Sequence, residues 1–130
     1  MKVYKFGGAS VKDANGVRNL HKIISNSNDN LVVVISAMGK TTNALELVVN
    51  SFFNHKSDTE ALLKKVVDFH ENIINDLFGA NRTEIDSHIN SLYEKINGIL
   101  SDKPSLSYDY EYDRIVSFGE LISTTIVACY

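Results

Sequence analysis

The chain has 130 residues, 44% hydrophobic and 22% charged, which is single-domain size with enough apolar side chains for a real core. A formal charge of -3, from 16 acidic and 13 basic residues without a basic, aromatic-interleaved stripe, argues against a nucleic-acid partner. The single cysteine, Cys129, excludes an internal disulfide and a thiolate metal cage, and no apolar run reaches membrane-spanning length, so a soluble cytoplasmic protein without a membrane partner is expected.

Val3 to Phe6 reads as a first strand, ending in Lys5-Phe6-Gly7-Gly8. Two side-chain-free peptides beside a cation suit an oligophosphate, because glycine lets backbone amides approach a ligand and lysine neutralises phosphate charge. The stretch from Ser10 reads as a helix start whose free amides would favour an anion. Read alone, Gly7-Gly8 is equally well a plain strand-to-helix turn. Val11, Val17, Leu20, Ile23 and Ile24 follow at helical spacing, ending in the polar 26–30 loop, and Leu31 to Ile35 is a second strand whose unbroken apolar run predicts burial on both faces. This β-α-β unit points to an α/β parallel sheet, whose ligands sit beyond the carboxyl ends of the strands. Both Gly7-Gly8-Ala9-Ser10 and Ser36-Ala37-Met38-Gly39 lie at that end.

A helix from Thr42 to Phe53 is predicted next, with Leu45, Val48, Val49 and Phe52 on one side. A helical hairpin over about 58–101 follows, with one stripe of Leu62, Val66, Phe69, Ile73 and Leu77 packed seam to seam on another of Ile85, Ile89, Leu92, Ile96 and Ile99. Lys103-Pro104-Ser105 breaks the pattern, and the tyrosine-acid alternation from Tyr108 leads into a last helix from about Asp113. Glu120 is the only charged residue from Ile115 to Tyr130, on a face with Ser117, Ser123 and Thr124, which predicts a partly buried carboxylate receiving a cationic group. Cys129 reads as a buried apolar thiol, and His21, His55, His70 and His88 as surface or core-edge residues without ligand spacing; no metal site is expected. Two strands cannot cover helices of this length and the chain ends without a helix stop, so it reads as the N-terminal part of a larger protein.

Three segments, Lys5-Phe6-Gly7-Gly8-Ala9-Ser10-Val11, Val34 to Asn43 and Ser117-Phe118-Gly119-Glu120-Leu121-Ile122-Ser123, together resemble the aspartate kinases of the amino acid kinase family, in the family's order and across the whole chain. The resemblance implies a carbamate kinase-like αβα sandwich with a mainly parallel sheet, of which residues 1–130 would be the N-terminal portion. It implies phosphoryl transfer from MgATP, a co-substrate, to the side-chain carboxylate of L-aspartate. Lys5 would be catalytic, stabilising charge on the transferred group, with Phe6, Gly7, Gly8, Ser10 and Ser36 at the phosphates. Thr42 and Glu120 would bind aspartate, Glu120 through the amino group. Such chemistry needs positioning and charge neutralisation, not a covalent nucleophile. Ala9 departs from the family's usual threonine. The resemblance also implies a nucleotide-binding half and regulatory region beyond these residues, a homo-oligomeric parent, and no turnover by the 130 residues alone.

The rivals are another kinase of this fold, acting on acetylglutamate or uridylate, and a non-catalytic helical interaction module. Gly39-Lys40-Thr41 suggests a P-loop, but the required first glycine would fall at Val34 inside the strand.

Overall fold

Parallel pairing of two five-residue strands, β1 (Lys2–Phe6) and β2 (Leu31–Ile35), sets Lys5 opposite Val34 and Phe6 opposite Ile35. The computed structural model describes all residues, 1–130. The crossover between the strands is helix α1 (Ala14–Ser25), which buries Ala14, Val17 and Leu20 and leaves Ile23 exposed. It starts later than Ser10. Ser10 sits in a turn closed by its own N–H on Gly7 O at 2.9 Å, and Asp13 is the cap, its carboxylate accepting from Gly16 N–H at 2.8 Å.

Five helices follow: α2 (Thr41–Phe53), α3 (Thr59–Phe78), α4 (Thr83–Ser101), α5 (Tyr108–Val116) and α6 (Phe118–Cys129). α2 is the hub, packed between α3 and α5, with Leu45, Val48 and Val49 wholly buried. α4 packs on α6, so the apolar stripes of α3 and α4 feed one core shared with α2 and α6 instead of closing mainly on each other. Accordingly the buried edge of α3 is Leu63, Val66, His70, Ile73 and Ile74, displaced from the predicted stripe, and Phe69 is exposed. At the α3–α4 turn, Arg82 pairs with Glu71 and Asp86, both at 2.6 Å.

Two further expectations are corrected. β2 is not covered on both faces: Val32 and Val34 are 44% and 43% exposed, on the side they share with Val3, because helices cover only the opposite side. The predicted last helix is two helices, broken at Ser117. The tyrosine-acid alternation is itself helical, capped by Ser107, which accepts from Tyr110 N–H. Glu111 of α5 is fully buried; burial raises its carboxyl, but hydrogen bonds from the Ser105 backbone and Arg114 outweigh this and hold it below its usual value. It thereby fastens the loop before α5.

His70 departs most from expectation, since it is 0% exposed in the middle of this core rather than at its edge. Burial pushes its imidazole below the ordinary value of 6.5, against the raising effects of the Val66 carbonyl and Glu71. The neutral ring is the folded form, so stability is fully present above about pH 6.5 and is lost as pH falls below it, where the unfolded chain takes up the proton first. Thermal melts between about pH 7.5 and 5.5 should therefore show a falling Tm that is flattened in His70→Asn. In urea titrations Ile74→Ala, at a wholly buried site, should cost about 2–5 kcal/mol, and Val34→Ala, on the open face, under about 1 kcal/mol.

Candidate active site

In-register parallel pairing brings the two glycine-bearing loops to one end of the sheet. Ser36 N–H donates to Phe6 O and Gly39 N–H to Gly8 O, both at 3.0 Å, so the loops are stitched together beyond the strands. The approach is close enough to require a glycine at position 8: a Cβ there would lie 2.8 Å from Ala37 O and 2.9 Å from Gly39 O. The Gly7 and Gly8 N–H groups donate to no acceptor within the chain, so a pair of free backbone donors stands at the mouth of this loop. Ser10 is exposed beside them.

Lys5 is exposed and makes no ion pair; period-2 alternation puts it on the open face with its register partner Val34. Phe6 points the other way, and its ring packs against the core, leaving only its backbone at the site. Ser36 is half-buried, and its carbonyl accepts the Ser123 hydroxyl of α6 at 2.7 Å. That bond and the contact at Gly119 seat α6 on the β2–α2 turn: a Cβ on Gly119 would lie 3.1 Å from Ala37 Cβ and 3.3 Å from both Leu45 Cδ1 and Thr41 Cγ2.

This seating places Thr42, in the first turn of α2, and Glu120, in the first turn of α6, on the walls of one cleft of about 250 Å³, with Tyr112, Asp113, Val116 and Ser117. Glu120 also lines a shallower concavity against residues 33–35 of β2, which includes Val34 beside Lys5. Lys5 itself lines neither. Glu120 is exposed rather than partly buried, and its carboxylate has no partner in the chain, because Gly119, Ile122 and Ser123 take up the inward side of α6. Glu120 is thus a free carboxylate and Lys5 a free ammonium.

Ser123, expected on the face of Glu120, is instead wholly buried with its hydroxyl on Ser36 O, whereas Gly119 and His70 carry no role in the sequence reading. The available signals for these two were a glycine in the first turn of an apolar helix and a histidine in an apolar stripe. Elsewhere the fold groups donor atoms of Glu84, His88 and Cys129 within 4.8 Å of one another. Cys129 is only partly buried, and burial followed by Glu84 raises its thiol. None of the three is oriented by a further hydrogen bond of the kind that built metal sites supply.

The sequence model of the Amino acid kinase family matches residues 1–129. The chain is 34% identical over 134 residues to Aspartokinase 2, chloroplastic, of Arabidopsis thaliana, covering 98% of this chain and 24% of that protein. It is 32% identical to Aspartokinase 1, chloroplastic, of the same plant, covering 98% and 23%. Among solved structures, E. coli aspartokinase III in complex with lysine and aspartate superposes with a TM-score of 0.82 at 25% identity, over 97% of this chain and 27% of that one. The same enzyme in complex with aspartate and ADP gives 0.80 at 25% identity, over 96% and 27%. The chain therefore spans about a quarter of the length of the relatives it matches.

The glycines make separable predictions. Gly8→Ala should lower stability by about 1–3 kcal/mol in urea titrations, as its Cβ forces two carbonyls apart. Gly7→Ala, with nothing within 4 Å of the added carbon, should change it by less than about 1 kcal/mol.

Proposed function

The chain belongs to the amino acid kinase family, with the fold of the family's N-terminal portion, and on that premise we propose that it carries the phosphate cradle and the acceptor wall of an aspartate kinase. The reaction is transfer of the γ-phosphoryl group of ATP, entering as its magnesium complex, to the side-chain carboxylate of L-aspartate. One observation carries this reading: two unpaired glycine amides and Lys5 stand at the same sheet end as a cleft walled by Thr42 and Glu120. The relatives' names and the aspartate and ADP bound to aspartokinase III support it.

The chemistry follows from the geometry. The Gly7 and Gly8 N–H groups, with the hydroxyls of Ser10 and Ser36, are donors for phosphate oxygens, and Lys5 supplies a mobile positive charge where negative charge grows during transfer. Across the site the Glu120 carboxylate takes the substrate's ammonium and the Thr42 hydroxyl a substrate oxygen, which orients the distal carboxylate toward the phosphoryl group. That carboxylate is already a nucleophile at neutral pH, so no base is required. Activity is assigned to a polypeptide of aspartokinase length carrying these residues, working in the cytoplasm as a homo-oligomer, and not to the 130 residues alone.

Hydroxylamine trapping of aspartyl phosphate tests the assignment, with acetylglutamate as a competing acceptor in the same trap and uridylate followed by ADP release. In the long polypeptide Lys5→Ala should lower kcat about 100-fold or more with an unchanged melt. Glu120→Gln should raise the aspartate KM about tenfold or more and leave that for ATP nearly unchanged. Turnover with another acceptor and none with aspartate would overturn the reading.

A further inference from the structure

At the far end of α6 from Glu120, the seam between α4 and α6 brings together three metal-ligating side chains that the phosphoryl-transfer reading does not use. α4 packs on α6, burying Ile85 and Ile89 on one side and Ile122 and Ile126 on the other. Glu84 and His88 each stand one position before a buried isoleucine of α4, and, four residues apart, they are neighbours on the helix surface. Cys129 occupies the last turn of α6, three residues past Ile126. One carboxylate oxygen, one imidazole nitrogen and the Cys129 sulfur lie within 4.8 Å of one another.

The donor types select the ion. Oxygen, nitrogen and sulfur together suit Zn²⁺ and its close relatives, whereas a hard cation such as Mg²⁺ takes oxygen ligands. Bonds of about 2.0 Å to nitrogen and oxygen and about 2.3 Å to sulfur set tetrahedral donors about 3.3–3.8 Å apart. Donors that span up to 4.8 Å therefore close in by about 1 Å, a side-chain rotation. Glu84 and His88 are exposed, and none of the three side chains holds a hydrogen bond or ion pair that binding would have to break. The same freedom limits affinity, since no outer hydrogen bond orients the ligands. Without a metal, burial and then the Glu84 charge keep the Cys129 thiol protonated; a divalent cation reverses that balance by holding both anions. On binding, the S–H bond breaks, its electron pair becomes the metal–sulfur bond, and the proton leaves to solvent.

We propose that Glu84, His88 and Cys129 form a three-ligand site for Zn²⁺ or a similar divalent ion, with a water in the fourth position, which clamps the start of α4 to the end of α6. The site is separate from the magnesium of the nucleotide and does not rest on the aspartate kinase reading.

Cobalt titration of the reduced 130-residue chain tests it. Co²⁺ should bind one per chain with a dissociation constant of about micromolar, weaker than structural zinc sites. It should show the intense visible bands of tetrahedral cobalt and a thiolate-to-cobalt charge-transfer band in the near ultraviolet, both lost when Zn²⁺ is added and both kept in excess Mg²⁺. Cys129→Ser should remove the charge-transfer band, and it and His88→Gln should each weaken binding about tenfold or more. His55→Gln, at an exposed histidine elsewhere, should leave binding unchanged. Zn²⁺ should raise the Tm of the wild type and not that of Cys129→Ser. Glu84 and His88 are exposed, so their variants should keep the fold, with Glu84→Gln weakening binding about threefold or more. Cobalt bound without the charge-transfer band, affinity indifferent to Cys129→Ser or His88→Gln, or one ion shared by two chains would rule the site out. Absence of aspartate turnover in the long polypeptide would remove the kinase reading and leave this result standing.

Discussion

Parallel registration of β1 with β2 is the constraint from which the rest follows. Two antiparallel strands would send their loops to opposite ends, but here the segments after Phe6 and Ile35 emerge side by side. The backbone bonds Ser36 N–H to Phe6 O and Gly39 N–H to Gly8 O then continue the pairing past the strands as a stitched pair of loops. Within the stitched loops the Gly7 and Gly8 N–H groups keep no acceptor of their own. The crossover helix α1, capped by Asp13, supplies the length that parallel connection demands.

Helices do the rest of the assembly, and they do it from a distance. α6 begins at the site and is locked there by the Ser123 hydroxyl and by the bare backbone of Gly119, so Glu120 is presented by rigid elements and not by a loop. The turn of the chain at Ser117, between α5 and α6, gives that presentation its angle and contributes a wall of the cleft. α2 mediates between the layers: its first turn lies at the site, its middle is the core, and α3 and α5 flank it.

The fold class, the β-α-β start and the two glycine loops were legible in the sequence, because strand ends marked by Gly7-Gly8 and by Ser36 to Gly39 are local signals. The pairing of Thr42 with Glu120 was not local; it became visible only through the resemblance of three separated segments. What stayed illegible has physical reasons. The apolar run of β2 says that its residues favour a strand, but not which layers are present to bury Val32 and Val34. The stripe of α3 was displaced because α2, rather than α4, is its closest neighbour, and periodicity carries no information about partners. Ser10 lost the helix start to Asp13, since two capping residues three positions apart compete and the hydrogen bond to Gly16 decides. Buried Glu111 and His70 were unreadable because each is answered in large part by a backbone atom, the Ser105 N–H and the Val66 carbonyl, that no side-chain pattern reveals.

The hydroxyl bond from Ser123 to the Ser36 carbonyl spans 87 positions of chain. During synthesis the glycine loop leaves the ribosome well before the wall that faces it. The nascent chain must hold a half-built pocket, its β2–α2 turn lacking the clamp from α6, while helices α2 to α5 accumulate behind it, a long-range closure of the kind that slows folding. A chaperone or an early ligand that occupied the loop would therefore meet it before its specificity exists, and selectivity for an acceptor would be the final property this region acquires.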